Sequence, residues 1–94
     1  MRYLLISALA LTAPAMAADG PMLAQSCLGC HGPGAQGMGA TVGIAGRPAP
    51  LLIAQMNAFR ANERPGTIMG RIARGYSETE ITAVAAYLAQ GAAR

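Results

Sequence analysis

Apolar residues in the last third of the chain recur at helical spacing, and no stretch alternates apolar and polar residues as a strand does. The apolar stripe of the last predicted helix consists of Ile81, Val84, Ala85 and Leu88. Ser77 and Glu80 form a capping box that predicts where this helix begins, and Gly91 predicts where it ends.

A first helix is predicted from Asp19 or Gly20 to Cys30, because Asp19 is a favourable N-cap and Pro21 suits a first turn. The side chains expected to face inward from this helix are Met22, Leu23, Ser26 and Cys27. Both ends of the chain are therefore expected to be helical.

Two further helices are predicted between these. The first covers residues 48–62 and stops at the turn signal of residues 63–66. Its apolar positions at helical spacing are Leu52, Met56 and Phe59. The second is a short helix over residues 67–74, with Gly75 as its C-cap.

A glycine-rich loop separates the first two helices. Residues 32–46 include six glycines, at positions 32, 34, 37, 39, 43 and 46. Such a composition disfavours helix and strand, and predicts backbone lying close against a flat surface. Since no alternating strand pattern is present, the fold class is predicted to be all-α. No repeat or linker is visible, so the prediction is one small domain of about four helices.

The N-terminus has the pattern of a secretory signal peptide. Arg2 precedes an apolar run from Tyr3 to Ala13, and Ala15-Met16-Ala17 is a small-x-small cleavage site. The run is too short to span a membrane. Residues 1–17 are therefore predicted to be a cleaved signal, residues 18–94 the mature domain, and the periplasm its location.

Composition limits what this domain does alone. The 94 residues are 53% hydrophobic but only 4% aromatic, so the side chains that usually fill a small core are scarce. Domains of this size usually need a metal, disulfides or a partner for stability. Without Arg2, the chain has six arginines and four carboxylates, a formal net charge of +2. The arginines are scattered along the sequence, which argues against a nucleic-acid surface. An independent multi-step enzyme is also excluded by size.

The only two cysteines and the only histidine stand together as Cys27-Leu28-Gly29-Cys30-His31. This is the Cys-x-x-Cys-His signature of covalent haem attachment. Two thiols at this spacing each add across a haem vinyl group, and the adjacent imidazole reaches the iron. The predicted cofactor is therefore one haem c, attached at Cys27 and Cys30, with His31 as an iron ligand.

Three other interpretations compete. One disulfide would close a very short loop and leave the small core unexplained. A thioredoxin-type thiol pair needs βαβ surroundings, which this sequence lacks. Zinc would need a fourth ligand, and no further Cys or His is present.

Methionine is the usual second axial ligand in electron-transfer cytochromes c. Met22 lies too close to the attachment motif, Met38 lies in the glycine-rich loop soon after it, and Met56 suits a helix core. Met69 follows a turn signal, far enough along the chain to pass around the porphyrin. Met69 is therefore the predicted second ligand, and an enzyme with an open iron position is the alternative if it does not bind.

With its N-terminal Cys-x-x-Cys-His, its distant Met69 and its terminal Ala86-Tyr87-Leu88, the chain resembles class I cytochromes c. The resemblance implies that the first and last helices cross, with Tyr87 and Leu88 against the helix ending at Cys27. In related cytochromes a proline carbonyl after the attachment motif accepts a hydrogen bond from the ligand histidine. This chain departs from that pattern with Ala40, whose carbonyl can still take that role, but from a looser loop.

Residues 67–77, read as Thr-Ile-Met-Gly-Arg-Ile-Ala-Arg-Gly-Tyr-Ser, are similar to the haem subunit of flavocytochrome c sulfide dehydrogenase in its monohaem form. This resemblance implies a heterodimer with an FAD-containing sulfide dehydrogenase subunit, which supplies electrons, and a soluble cytochrome acceptor. The chain itself would carry no catalytic residue. The alternative is a free, diffusible periplasmic monohaem cytochrome c.

Overall fold

The computed structural model describes residues 18–65 and 68–91, and the predicted all-α class with four helices is confirmed there. The helices are α1 (Gly20–His31), α2 (Ala49–Arg60), α3 (Met69–Arg74) and α4 (Glu78–Ala89). A 3-10 turn at Pro33–Ala35 and one isolated bridge between Met38 and Thr41 interrupt the loops. The predicted signal peptide, residues 1–17, lies outside the described residues. None of the described helices has the length and apolar character needed to span a bilayer.

The first and last helices pack against each other at a close crossing. A Cβ atom added to Gly20 would lie 2.5 Å from the Ala83 carbonyl oxygen, so α1 turns its small residues Gly20 and Ala24 toward α4. The prediction that Met22 and Ser26 face inward is wrong, since Met22 is 70% exposed and Ser26 is also exposed. Bulkier side chains at Gly20 and Ala24 would hold the backbones of α1 and α4 apart.

Helix α4 lies at the centre of the fold, packed against both α1 and α2. Its capping box is confirmed, because Ser77 Oγ accepts from the Glu80 N–H at 3.1 Å and Glu80 Oε1 accepts from the Ser77 N–H at 2.9 Å. All four residues of its predicted apolar stripe are buried. The main core cluster consists of Ala24, Ala35, Leu52, Val84, Ala85 and Leu88. Leu88 shares that cluster with Ala24 of α1, and the Tyr87 Cβ lies 3.2 Å from a Cβ built on Gly20, so both residues pack against α1 as the resemblance implied.

Helix α2 is shorter at its C-terminus than predicted. Asn62 adopts a left-handed conformation with φ of 58°. The Glu63 N–H donates to the Ala58 carbonyl at 2.9 Å, and the Asn62 N–H donates to the Phe59 carbonyl at 3.2 Å. These bonds form a Schellman motif, which ends the helix before the predicted turn signal. Of its predicted apolar face, Leu52 is buried, while Met56 and Phe59 are only half-buried.

Helix α3 begins at Met69, and Thr67, where it was predicted to begin, lies outside the described residues. Gly75 follows the helix at the predicted cap position. Its φ of −79° is right-handed, so the left-handed freedom of glycine is not what this position uses. The short helix packs on α2, which fixes the position of Met69 relative to the rest of the fold.

Candidate haem attachment site

The three residues of the attachment motif lie together on the last turn of α1. Cys27 and Cys30 are both free thiols, with Cys27 half-buried and Cys30 exposed. Burial raises the pKa of the Cys27 thiol, and a hydrogen bond with Ser26 lowers it by less. Cys27 therefore lies on the apolar side of the helix, where it packs against the core cluster.

The imidazole of His31 is 92% buried and is oriented by one hydrogen bond. Its Nδ1 lies 2.6 Å from the Val42 carbonyl oxygen. Because a carbonyl oxygen only accepts hydrogen bonds, Nδ1 carries the proton, and Nε2 of the neutral ring keeps its lone pair. This tautomer, fixed by a backbone carbonyl, is the form in which histidine binds a metal.

The residue that orients His31 is Val42, and the expectation that Ala40 would do so is wrong. Met38 and Thr41 exchange two backbone hydrogen bonds of 3.0 Å, which makes Gly39 and Ala40 the tip of a tight turn. Both tip residues are exposed. The chain returns toward α1 only after this turn, so Val42 supplies the carbonyl.

The glycine-rich loop is folded against itself. A Cβ on Gly32 would lie 2.6 Å from the Gly37 carbonyl oxygen, and one on Gly43 would lie 2.6 Å from the Gln36 carbonyl oxygen. Close approaches within the loop therefore account for these two glycines, and no external flat surface is needed to explain them. This compact backbone holds the Val42 carbonyl beside His31.

The candidate second ligands lie in different environments. Met22 and Met38 are 70% and 50% exposed, and Met56 is half-buried on α2. Met69 is half-buried at the first position of α3, on a different element from the attachment motif. The structure thus places Met69 on a separate helix, while its binding to iron stays a prediction.

The chemistry of these groups fits a haem. Thiols and an imidazole nitrogen with a free lone pair share one helical turn. Among residues 18–65 and 68–91, no three His, Cys, Asp or Glu side chains gather as an ion-binding cluster. Iron inside a porphyrin needs only axial ligands from the protein. A porphyrin face would cover exposed apolar surface. Three large apolar side chains near the candidate ligands in the sequence are at least half exposed: Met38, Val42 and Ile68.

Comparison with known proteins decides the family. Residues 17–92 match the family described as Cytochrome c. The chain belongs to the cytochrome c family. Membership gives this cytochrome c a covalently bound haem c, in agreement with the spacing of Cys27 and Cys30, and the role of an electron carrier.

Several curated proteins are similar to this cytochrome c. It is 46% identical over 67 residues to the thiosulfate dehydrogenase electron acceptor of Stutzerimonas stutzeri, covering 67% of this chain and 31% of that protein. It is 32% identical over 74 residues to the cytochrome subunit of sulfide dehydrogenase of Chlorobaculum tepidum, covering 79% and 67%. It is 33% identical over 81 residues to cytochrome c-553 of Nitratidesulfovibrio vulgaris, covering 81% and 79%.

The solved structure of cytochrome c4 from Acidithiobacillus ferrooxidans has a similar fold. The TM-score is 0.66 at 34% identity, and the match covers 69% of this chain and 38% of that one. The chain thus spans about a third of the length of both the cytochrome c4 and the Stutzerimonas protein. The shared part is one cytochrome c domain.

Proposed function

We propose that this cytochrome c carries one haem c bonded to Cys27 and Cys30, with His31 and Met69 as the two axial ligands. The observation that carries the proposal is the orientation of the buried His31, whose Nδ1–H donates to the Val42 carbonyl and leaves Nε2 for iron. Met69 is supported by its position on α3 and by the exposure of Met22 and Met38. A thioether ligand favours Fe(II) and raises the reduction potential.

The proposed role is that of the electron-transfer subunit of a flavocytochrome c sulfide dehydrogenase. The haem supplies reversible one-electron exchange, and two-electron oxidation of sulfide belongs to an FAD-containing partner subunit. A soluble cytochrome would accept the electrons. Support comes from the Chlorobaculum relative, of which the chain covers 67%, and from the resemblance of residues 67–77.

A second candidate is supported by the Stutzerimonas relative. Its 46% identity exceeds the 32% of the sulfide dehydrogenase subunit, so a dehydrogenase that oxidises thiosulfate is the alternative electron donor. The similarity to cytochrome c-553 supports a third arrangement, in which the protein diffuses freely without a permanent partner. All three proposed roles use the same haem-binding residues of this chain.

A basic surface on α2 and α3 suits an acidic partner. Four arginines lie exposed near the C-terminus of α2 and along α3: Arg60, Arg64, Arg71 and Arg74. Glu63 is the only carboxylate between residues 60 and 74 of the sequence. Opposite charges across an interface mainly accelerate association. Arg71→Glu should therefore slow reduction by the partner at low salt, with a smaller effect at high salt, whereas Arg47→Glu on the glycine-rich loop should not.

The test of the ligands uses holo-protein matured in a host competent for cytochrome c assembly. Met69→Ala should abolish the weak charge-transfer band of ferric methionine-ligated haem. Met22→Ala, a matched loss of an exposed thioether, should leave the band intact. A band that survives in Met69→Ala would reject Met69 as the ligand and show that another methionine binds the iron, whereas absence of the band from the wild type would favour an open iron position.

The test of the donor isolates the tagged protein from its own cell envelope. A stoichiometric flavoprotein that co-purifies, with rapid haem reduction on adding sulfide, supports the sulfide dehydrogenase subunit. Reduction by thiosulfate together with a co-purifying thiosulfate dehydrogenase supports the second candidate. Haem that is reduced only by unrelated donors, without any bound partner, supports the free carrier.

A further inference from the structure

A hydrogen-bonded bridge joins α1 to the segment that follows α3. The Tyr76 hydroxyl lies 2.6 Å from Ser26 Oγ, across 50 positions of sequence. Ser26 Oγ donates to the Leu23 carbonyl at 3.1 Å, and the Tyr76 hydroxyl lies 3.4 Å from the same oxygen. Three groups on two elements therefore meet at one point, which we call the Tyr76 bridge.

One end of the bridge lies on the turn that carries the haem attachment motif. Ser26 directly precedes Cys27 in the helix. Leu23 is four residues before Cys27, so in the α-helix its carbonyl faces the Cys27 N–H. Movement at the Tyr76 bridge is thus transmitted to the backbone that holds the first attachment cysteine.

The other end lies on the segment that carries Met69. The Tyr76 N–H donates to the Ala73 carbonyl at 3.2 Å, which fixes Tyr76 to the last turn of α3. The ring of Tyr76 is half-buried and packs against the core cluster. Its hydroxyl reaches across to Ser26 on α1.

The packing of the helices gives this bridge its importance. In the described part of the chain, the helix pairs with extensive packing are α1 with α4, α2 with α3, and α2 with α4. Helix α1 and helix α3 are not such a pair. The attachment motif on α1 and Met69 on α3 are therefore connected mainly through α4 and α2. The Tyr76 bridge directly links α1 to the segment that follows α3.

We propose that Tyr76 is a positioning residue that, through Ser26, keeps the Met69 helix in register with the haem attachment turn and so holds Met69 on the iron. This inference rests on the proposed ligand role of Met69. Tyr76 touches neither the iron nor the electron partner in this account. Its hydroxyl acts by favouring the arrangement in which α3 and the attachment turn stay together.

The test measures how readily imidazole displaces Met69 from the ferric holo-protein. Tyr76→Phe keeps the ring in the core and removes only the hydroxyl. Loss of one partly exposed hydrogen bond should raise the apparent imidazole affinity by about two- to five-fold. Ser26→Ala should have a similar effect. The imidazole affinity of the double variant should be about that of either single variant, because both substitutions remove the same hydrogen bond. Thr82→Val, which removes an exposed hydroxyl that donates to the Glu78 carbonyl on α4, should leave the affinity at the wild-type value.

Each outcome decides the proposal. A lower unfolding free energy in Tyr76→Phe with wild-type imidazole affinity would show a merely structural role and overturn it. Additive effects of Tyr76→Phe and Ser26→Ala would also overturn it, because the two groups would then act separately. Absence of the methionine–iron band from the wild type would reject Met69 as the ligand, a failure of the proposed function that is visible before any variant is compared.

Discussion

Replacing Gly20 by alanine would place a methyl group against the backbone of α4 at the crossing of the two terminal helices. The new Cβ would lie 2.5 Å from the Ala83 carbonyl oxygen and 3.2 Å from the Tyr87 Cβ. Ordinary contact begins near 3.4 Å, so the helices must separate by close to 1 Å at this point. The obstructing atoms belong to the backbone and cannot swing aside as a flexible side chain would.

The cost follows from two opposing effects. Overpacking of this kind costs about 1–3 kcal/mol. Alanine is favoured over glycine in a helix by about 1 kcal/mol, which offsets part of that cost. Gly20→Ala is therefore expected to lower the free energy of unfolding by up to about 2 kcal/mol, equivalent to a fall in Tm of up to about 15 °C for a domain of this size.

The assay is guanidinium unfolding of the matured holo-protein, followed by circular dichroism. Gly29→Ala on the same helix is the matched control, because its added Cβ meets nothing within 4 Å. That control should gain about 0.5–1 kcal/mol from helix propensity. A stability of Gly20→Ala equal to or greater than that of Gly29→Ala would refute the close crossing of α1 and α4.

Three further outcomes are expected. Asn62→Gly should raise the free energy of unfolding by about 0.5–1 kcal/mol in denaturant titration, because glycine adopts the left-handed conformation at the end of α2 without strain; a loss of stability would contradict the Schellman motif. Ser77→Ala should lower it by about 1 kcal/mol through loss of the capping box, and Thr79→Ala at an exposed position in the first turn of the same helix gives the comparison. N-terminal sequencing of the exported protein should begin at Ala18, and retention of Met1 would reject the predicted signal peptide.

Local rules predicted much of the helical structure. The capping box at Ser77 and Glu80 and the α4 stripe depend only on residues within a few positions of each other, so periodicity and capping chemistry were sufficient for them. The end of α2 was placed too late, because Asn62 adopts a left-handed conformation that ends the helix before the turn signal of residues 63–66.

Contacts between distant segments were harder to predict. Met22 was expected to face inward on grounds of hydrophobicity, but the close approach at Gly20 selects the face of α1 that carries small residues. The motif identified His31, yet only the folded loop shows that Val42, and not Ala40, supplies the orienting carbonyl. The Tyr76 bridge spans 50 positions, and no local pattern indicates it.

The most direct test of the account is the intact mass of the protein matured in a host competent for cytochrome c assembly, together with a thiol titration. Addition of each thiol across a vinyl group releases nothing, so the expected mass is that of residues 18–94 plus one haem, with no free thiol. Cys27→Ser should retain the haem through a single bond at Cys30. The mass of the polypeptide alone, with two titratable thiols, would contradict haem attachment at Cys27 and Cys30.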